Sequence, residues 1–271
     1  HVPIPSWGTE YRTANTYTDS YWSDELKKEI YTPPNIVLVA AYDSTVVDIT
    51  TPLALDVPST SADVSKISDT VYRTRLNRGE VMNLDWAVDP EKVKQWRTDP
   101  SGSRVTSNKP VAVLTGAKKV AFLRMPSHLP PTGTFKAGAD FVRNTLQEAA
   151  YPVYMADTLF ATVPLMYTSA RKTGRDNKQF GIDDDRGDVV RVIALYDSTK
   201  IEYTENEEKA DVHAAWLNAG ETYVDSVVEF ARVWRTSKPV QVYQYGKSYA
   251  YVLPIPSSSK RGPEAAGRPV V

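Results

Sequence analysis

The chain contains no cysteine. That excludes disulfides, thiol catalysis, thiolate zinc sites and iron–sulfur clusters. It leaves the compartment open, because a large β core can stabilise a surface protein without cross-links. Histidine is almost as scarce, with only His1, His128 and His213 present, so a Ser-His-Asp triad would have to recruit one of these. His128 lies in the proline-rich PSHLPPTG and His213 in ADVHAAW, and both read as surface or rim residues. No Gly-x-Ser-x-Gly elbow, HExxH, P-loop or Gly-x-Gly-x-x-Gly occurs. Neither sign of charge dominates: 32 basic residues stand against 33 acidic ones, a formal net of −1. The electrostatic case for a nucleic-acid partner is therefore missing. No apolar run reaches the roughly 18 residues of a membrane-spanning helix. The opening HVPIPSWGTE has no basic n-region or apolar h-region, and a start at histidine is expected for a processed or trimmed chain. Asn-x-Ser/Thr sequons are also absent, so any glycan would be O-linked, with TTPLALDVPSTS and PIPSSS as acceptor tracts.

What is abundant points to strands. Sixteen tyrosines, six tryptophans and 19 prolines among only 13 glycines predict an all-β protein. Four blocks then recur in the same order. Tyr-Asp-Ser-Thr occurs at Tyr42–Thr45 and Tyr196–Thr199, each time between runs of β-formers. LNRGE at Leu76–Glu80 answers LNAGE at Leu217–Glu221, and SNKPVAVLTGAK at Ser107–Lys118 answers TSKPVQVYQYGK at Thr236–Lys247. More faintly, WGTEYRTANTY at Trp7–Tyr17 answers DTLFATVPLMY at Asp157–Tyr167. The expectation is a tandem duplication of two β-sandwich-like modules, residues 1–125 and 126–271, with short helical insertions.

Each block has a structural reading. In VVRVIALY, Val190, Val192, Ala194 and Tyr196 share one face, and Arg191, Ile193 and Leu195 the other. Asp and Ser bond back to nearby amides, so YDST is expected to be a hairpin turn and not a catalytic motif. Leu-Asn-x-Gly-Glu reads as a second turn with Gly at positive φ. Lys-Pro-Val is expected to open a strand, where proline's missing N–H does no harm. Two helices are expected, DPEKVKQW at Asp89–Trp96 with Asp89 as cap, and GADFVRNTLQEAA at Gly138–Ala150.

Together these blocks resemble the N-terminal domain family of IgGFc-binding proteins. The residues that carry the resemblance are Asp43 and Thr45, Gly79 and Glu80, and Lys109–Val111 with Gly116. Their second copies are Asp197 and Thr199, Gly220 and Glu221, and Lys238–Val240 with Gly246. The stretch EAAYPVYMADTLFATVPL, Glu148–Leu165, resembles the family's join between halves. The resemblance implies an extracellular, non-enzymatic β module of adhesive, mucus-like or surface-layer proteins, with no catalytic residue to transfer. Relatives in animal mucins carry cysteine after the Lys-Pro-Val strand, where this chain reads AKKVAF at Ala117–Phe122.

Candidate sites are few. Asp183, Asp184, Asp185 and Asp188 in GIDDDRGD could offer carboxylate oxygens to calcium, although the spacing is not that of an EF-hand, and no other cofactor is expected. The same run holds Arg186-Gly187-Asp188, the tripeptide of integrin ligands; its simpler reading is a solvated loop. Tyr243, Tyr245, Tyr249 and Tyr251 form a stripe if their strand is continuous, serving either glycan binding or packing. Residues 1–6, HVPIPS, and 253–258, LPIPSS, are extended Pro-x-Pro segments, and the chain ends in two valines. They predict self-assembly by strand addition to a neighbour's sheet edge, with Val2, Ile4, Trp7, Val270 and Val271 as contacts. The leading expectation is thus an extracellular structural or adhesive fibre subunit. A monomeric glycan- or protein-binding module is the alternative, and a carbohydrate-active enzyme with paired carboxylates is more remote.

Overall fold

The computed structural model describes residues 4–57, 63–94, 98–120, 144–163, 188–205, 212–228 and 230–246. It is all-β, as the composition predicts. The first module is organised by one long strand, β10 (Arg104–Val120). Its first half pairs with β5 (Thr45–Thr50) and its second half with β4 (Pro34–Ala40), both antiparallel. Beyond these lie β8 (Val71–Leu76) beside β5 and β9 (Val81–Trp86) beside β4. The two ends of this order are β6 (Leu55–Asp56) on β9 and β7 (Val64–Lys66) on β8. On the other side of β10 run β1 (Gly8–Arg12) and β11 (Asn144–Ala149). A separate hairpin joins β2 (Asp19–Ser23) to β3 (Lys28–Thr32).

The second module repeats this plan. Its long strand is β17 (Arg232–Tyr245), flanked by β14 (Thr199–Glu205) on its first half and β13 (Asp188–Ala194) on its second. Outside them come β15 (Val212–Leu217) and β16 (Thr222–Val228). The remaining strand, β12 (Asp157–Thr162), occupies the place of β1. Both β1 and β12 carry a bulge at their start: Gly8 pairs with Val111 and Glu10 with Thr106, as Asp157 pairs with Val240 and Leu159 with Arg235. Gly8 therefore answers Asp157 and Tyr11 answers Phe160, a register one residue away from the alignment read in the sequence.

This topology corrects the hairpin reading of YDST. The strands on either side of Tyr42–Thr45 do not pair with one another; both pair with β10. The tetrapeptide is a corner in a bent strand. The Leu-Asn-x-Gly-Glu blocks are corners too, because β8 and β9 pair with β5 and β4 and not with each other. Lys-Pro-Val is likewise mid-strand. Pro110 falls between the ladder that ends at Ser107–Val47 and the one that begins at Val111–Ala40, and Pro239 falls between Thr236–Ile201 and Val240–Ala194. Proline's missing N–H interrupts no ladder bond there.

The expected helix at Gly138–Ala150 is also corrected. Residues 144–149 form β11, aligned against Leu114–Val120 of β10; the open flank of a long strand outweighs a modest helical preference. Asp89 does cap the short helix α1 (Pro90–Lys94), accepting from the N–H groups of Glu91 and Lys92 at 3.1 and 3.4 Å.

Each module has its own core. Ile36, Leu38, Val47, Ile49, Leu84 and Trp86 are among the buried residues of the first, and Val190, Val192, Ile201, Trp234 and Val240 of the second. A third cluster binds the two together: Ala14, Tyr17, Ala117 and Val120 pack against Val189, Ile193, Val224, Tyr243 and Tyr245. Every residue of β13 is buried, because one face meets its own module's core and the other meets the first module.

Candidate functional site

The three strongest repeated blocks meet in one place in each module. Ser44 and Ser198 adopt φ of 54° and 53°, and Gly79 and Gly220 φ of 80° and 85°. The Thr45 hydroxyl donates to the Tyr42 carbonyl at 2.6 Å, and Thr199 to Tyr196 at 2.6 Å. The Asp43 carboxylate accepts from the Arg78 amide at 3.0 Å, and Asp197 from Ala219 at 2.9 Å. Lys109 and Lys238 donate to the carbonyls of Asp43 and Asp197 at 2.6 and 2.5 Å. Glu80 and Glu221 accept from the amides of Asn77 and Asn218 at 2.6 and 2.7 Å. The repeated polar residues are thus engaged with backbone at the bends of adjacent strands. They satisfy groups the ladders leave open, and this is why Asp, Asn, Gly, Glu and Lys recur at this spacing.

The second module's corner row lies against the first module. A Cβ at Gly102, whose φ is 84°, would overlap the carbonyl oxygen of Gly220, and the Arg12 Nη1 donates to the Gly102 carbonyl at 3.0 Å. Deeper in the joint, Arg191 is fully buried; its Nη2 lies 2.6 Å from Asp99 Oδ2, and its Nη1 donates to the Asn15 carbonyl.

A cluster of titratable side chains outside the joint lies in the second module. Arg232 Nε donates to Glu205 at 3.1 Å and its Nη1 to Asp225 at 2.6 Å. Its guanidinium carbon stands 4.2 Å from the Tyr203 ring centroid and 5.7 Å from that of Trp234. By corner register, Tyr203 and Asp225 occupy the places of Ile49 and Leu84 in the first module. Burial opposes the Arg232 charge, yet the bonds and charge of Asp225, with Tyr203 and Glu205, hold its pKa above the ordinary arginine value. Burial, then the Asp225 charge, push the Tyr223 hydroxyl up to about 12. The two carboxylates are bridged by Arg232.

The sequence-derived candidates fall as follows. Tyr243 and Tyr245 share a face with rings 6.5 Å apart, but that face is turned into the joint, where they are 4% and 7% exposed. Burial raises both hydroxyl pKa values above the ordinary tyrosine value. Tyr249 and Tyr251 lie outside the described residues. Asp188 is buried on β13 and accepts from Gln244 Nε2 at 2.6 Å, while Asp183, Asp184 and Asp185 lie outside the described residues. No cluster of metal-ligating side chains occurs among the described residues. Ile4 is half-exposed in a 3₁₀ turn that Trp7 N–H closes at 2.9 Å, and Tyr154 donates to the Ser6 carbonyl at 2.7 Å. Val2, Val270 and Val271 lie outside the described residues.

Two surface features had no distinct sequence signal. A polar cleft of about 600 Å3 opens beside the first corner row, lined by Ser44, Ser65, Arg73, Arg75, Asn77 and Glu80. Arg73 is already forked onto Asp48 at 2.6 and 2.7 Å. The second feature is a difference at the ends of the sheets. Strands β6 and β7 end the first sheet on its two sides, whereas β16 and β15 carry no further strand among the described residues. Val212 and Trp216 on β15 are 41% and 60% exposed.

A family model described as IgGFc binding protein matches residues 1–266. The chain belongs to the IgGFc-binding protein family. Nearly its whole length is covered, so the resemblance carried by the corner motifs holds across both modules. Membership points to an extracellular binding or mucin-associated module. No helix among the described residues is long and apolar enough to cross a membrane. No curated protein matches the chain.

Proposed function

We propose that this IgGFc-binding family member is a non-catalytic structural or adhesive protein of the cell surface or extracellular matrix. It is a subunit of a fibre joined by extended terminal segments laid along a neighbour's sheet edge. We also propose that its modules, residues 1–125 and 126–271 apart from β11, which pairs with β10 of the first, arose by tandem duplication. The observation that carries the fibre reading is the two ends of the second sheet, β16 and β15, which carry no further strand among the described residues where the first module adds β6 and β7. An end strand of a sheet is a template for an added strand. The engagement of the corner residues with backbone, and of Glu205 and Asp225 with Arg232, supports the absence of catalysis.

Sedimentation velocity over a wide concentration range tests this reading. Growth of large, regular species with both ends intact is expected. A chain that stays monomeric at high concentration contradicts it.

A monomeric module binding a glycan or a protein is the second reading, favoured by the cleft between Ser44 and Glu80. In that case Arg75→Ala weakens binding on a glycan array. An immunoglobulin Fc region, the ligand in the family's name, is the first protein to test.

A further inference from the structure

The β2–β3 hairpin forms a sheet of its own beside the ladders of the two modules. Successive residues of its strands alternate faces, and residues directly opposite share one. Tyr21 lies opposite Ile30, and this inner face turns to β10, where Lys119 Nζ stands 4.2 Å from the Tyr21 ring centroid. The root of the hairpin is pinned. Asp19 is buried, the Thr32 hydroxyl donates to its carbonyl at 3.2 Å, and the Thr18 amide donates to the Thr98 hydroxyl at 3.0 Å.

The outer face carries Ser20, Trp22, Glu29 and Tyr31. Trp22 is 58% exposed and lies directly opposite Glu29, which sets their Cβ atoms about 5 Å apart. The Ser20 hydroxyl donates to Glu29 Oε1 at 2.8 Å, and the Tyr31 hydroxyl to Oε2 at 3.0 Å. Two neutral hydroxyls thus fix the carboxylate beside the indole and leave its charge in place. Each carboxylate oxygen keeps a further lone pair for a second donor. Among the described residues no cation pairs with Glu29 or stands over the Trp22 ring.

The second module shows what such a pair of groups takes up. There Arg232 donates to Glu205 and Asp225 while its guanidinium carbon stands 4.2 Å from the Tyr203 ring centroid. On the hairpin the ring and the carboxylate are at the surface, without an arginine of the described residues. A guanidinium is planar, so it can stack on an indole and fork onto the neighbouring carboxylate at once. The hairpin also carries Asp19, Asp24, Glu25 and Glu29 against Lys27 and Lys28, a balance that attracts a cation.

We infer that the outer face of the β2–β3 hairpin binds an arginine side chain of a protein partner, with Trp22 stacking on the guanidinium and Glu29 accepting from it. This rests on the protein-binding reading and names a site and a ligand chemistry for it.

Immobilised peptides that alternate arginine with serine, and the same peptides with citrulline, are the probe; citrulline keeps the shape and loses the charge. The intact chain is expected to bind the arginine peptide about tenfold more tightly, and Glu29→Gln and Trp22→Ala each to lose about tenfold. Trp22→Phe keeps an aromatic face, and Glu25→Gln removes the same charge from the hairpin's tip; both are expected to stay within about twofold of the intact chain. Glu29→Gln keeps an acceptor for the hydroxyls, so its loss of binding is read with the hairpin in place. Equal affinity for the citrulline peptide, unchanged binding in Glu29→Gln or Trp22→Ala, or as large a loss in Glu25→Gln overturns the inference. A glycan-array signal that Trp22→Ala removes, without binding to the arginine peptide, also overturns it and leaves the binding-module reading standing. No binding to arginine peptides, glycans or an immunoglobulin Fc region overturns both.

Discussion

Arg191 and Asp99 form a two-pronged ion pair across the joint between the modules, with 2.6 Å between Nη2 and Oδ2 and 3.3 Å between Nη1 and Oδ1. Arg191 belongs to β13, whose residues are all buried, and water reaches only a quarter of the Asp99 side chain. Removing Asp99 takes a carboxylate away from a buried guanidinium. Asp99→Ala is expected to destabilise the protein by about 3 kcal/mol in urea unfolding, and Arg191→Leu in the same chain to recover a large part of that. A loss under about 1 kcal/mol would mean that the pair does not hold the joint.

The duplicated corners make an internal control. Thr45 and Thr199 are both fully buried and both donate to a carbonyl three residues earlier at 2.6 Å. Thr→Val keeps the shape and removes the hydroxyl. Each replacement should lower stability by about 1 kcal/mol, and the two should agree within about 0.5 kcal/mol. Clearly unequal losses would show that the two corners bear different loads.

Glycine replacements separate turn strain from the contact between modules. A Cβ at Gly79 meets open space, so Gly79→Ala carries only the strain of its positive φ, about 1 kcal/mol. At Gly102 the added carbon collides with the Gly220 carbonyl oxygen, so Gly102→Ala is expected to cost clearly more. Equal thermal shifts for the two variants would contradict the close approach of Gly102 and Gly220.

Buried tyrosines predict sensitivity to alkali. Tyr223, Tyr243 and Tyr245 hold their protons in the folded state above the ordinary value of about 10. The stability linked to them is fully present below pH 10, the unfolded value, and falls as pH rises through the folded values, about 12 for Tyr223. Circular dichroism with tyrosinate absorbance should show unfolding and ionisation together, and Tyr245→Phe should move the midpoint to higher pH. Ionisation of all tyrosines near pH 10 in a folded protein would contradict their burial.

Much of this fold is written in local chemistry, and its gaps have a common cause. Ser44, Gly79 and Asp43 mark sharp bends by their side-chain and φ requirements alone. Whether a bend makes a hairpin or a corner depends on β10, which lies about 60 residues further along the chain. Strand alternation separated Arg191 from Val190 and Val192, but packing of a second module onto that face could not be read from eight residues. Asn144–Ala149 has a helical pattern when taken alone and is a strand because its partner, β10, supplies the pairing. The different ends of the two sheets are illegible for the same reason, since they appear only when β15 and β16 are compared with β7 and β6 among the described residues.

Electron microscopy tests the central claim most directly, comparing the intact chain with a version lacking both residues 1–6 and the residues after Val252. The account predicts filaments from the intact chain and single particles from the version without its terminal segments. Monodisperse single particles from the intact chain at high concentration would contradict it.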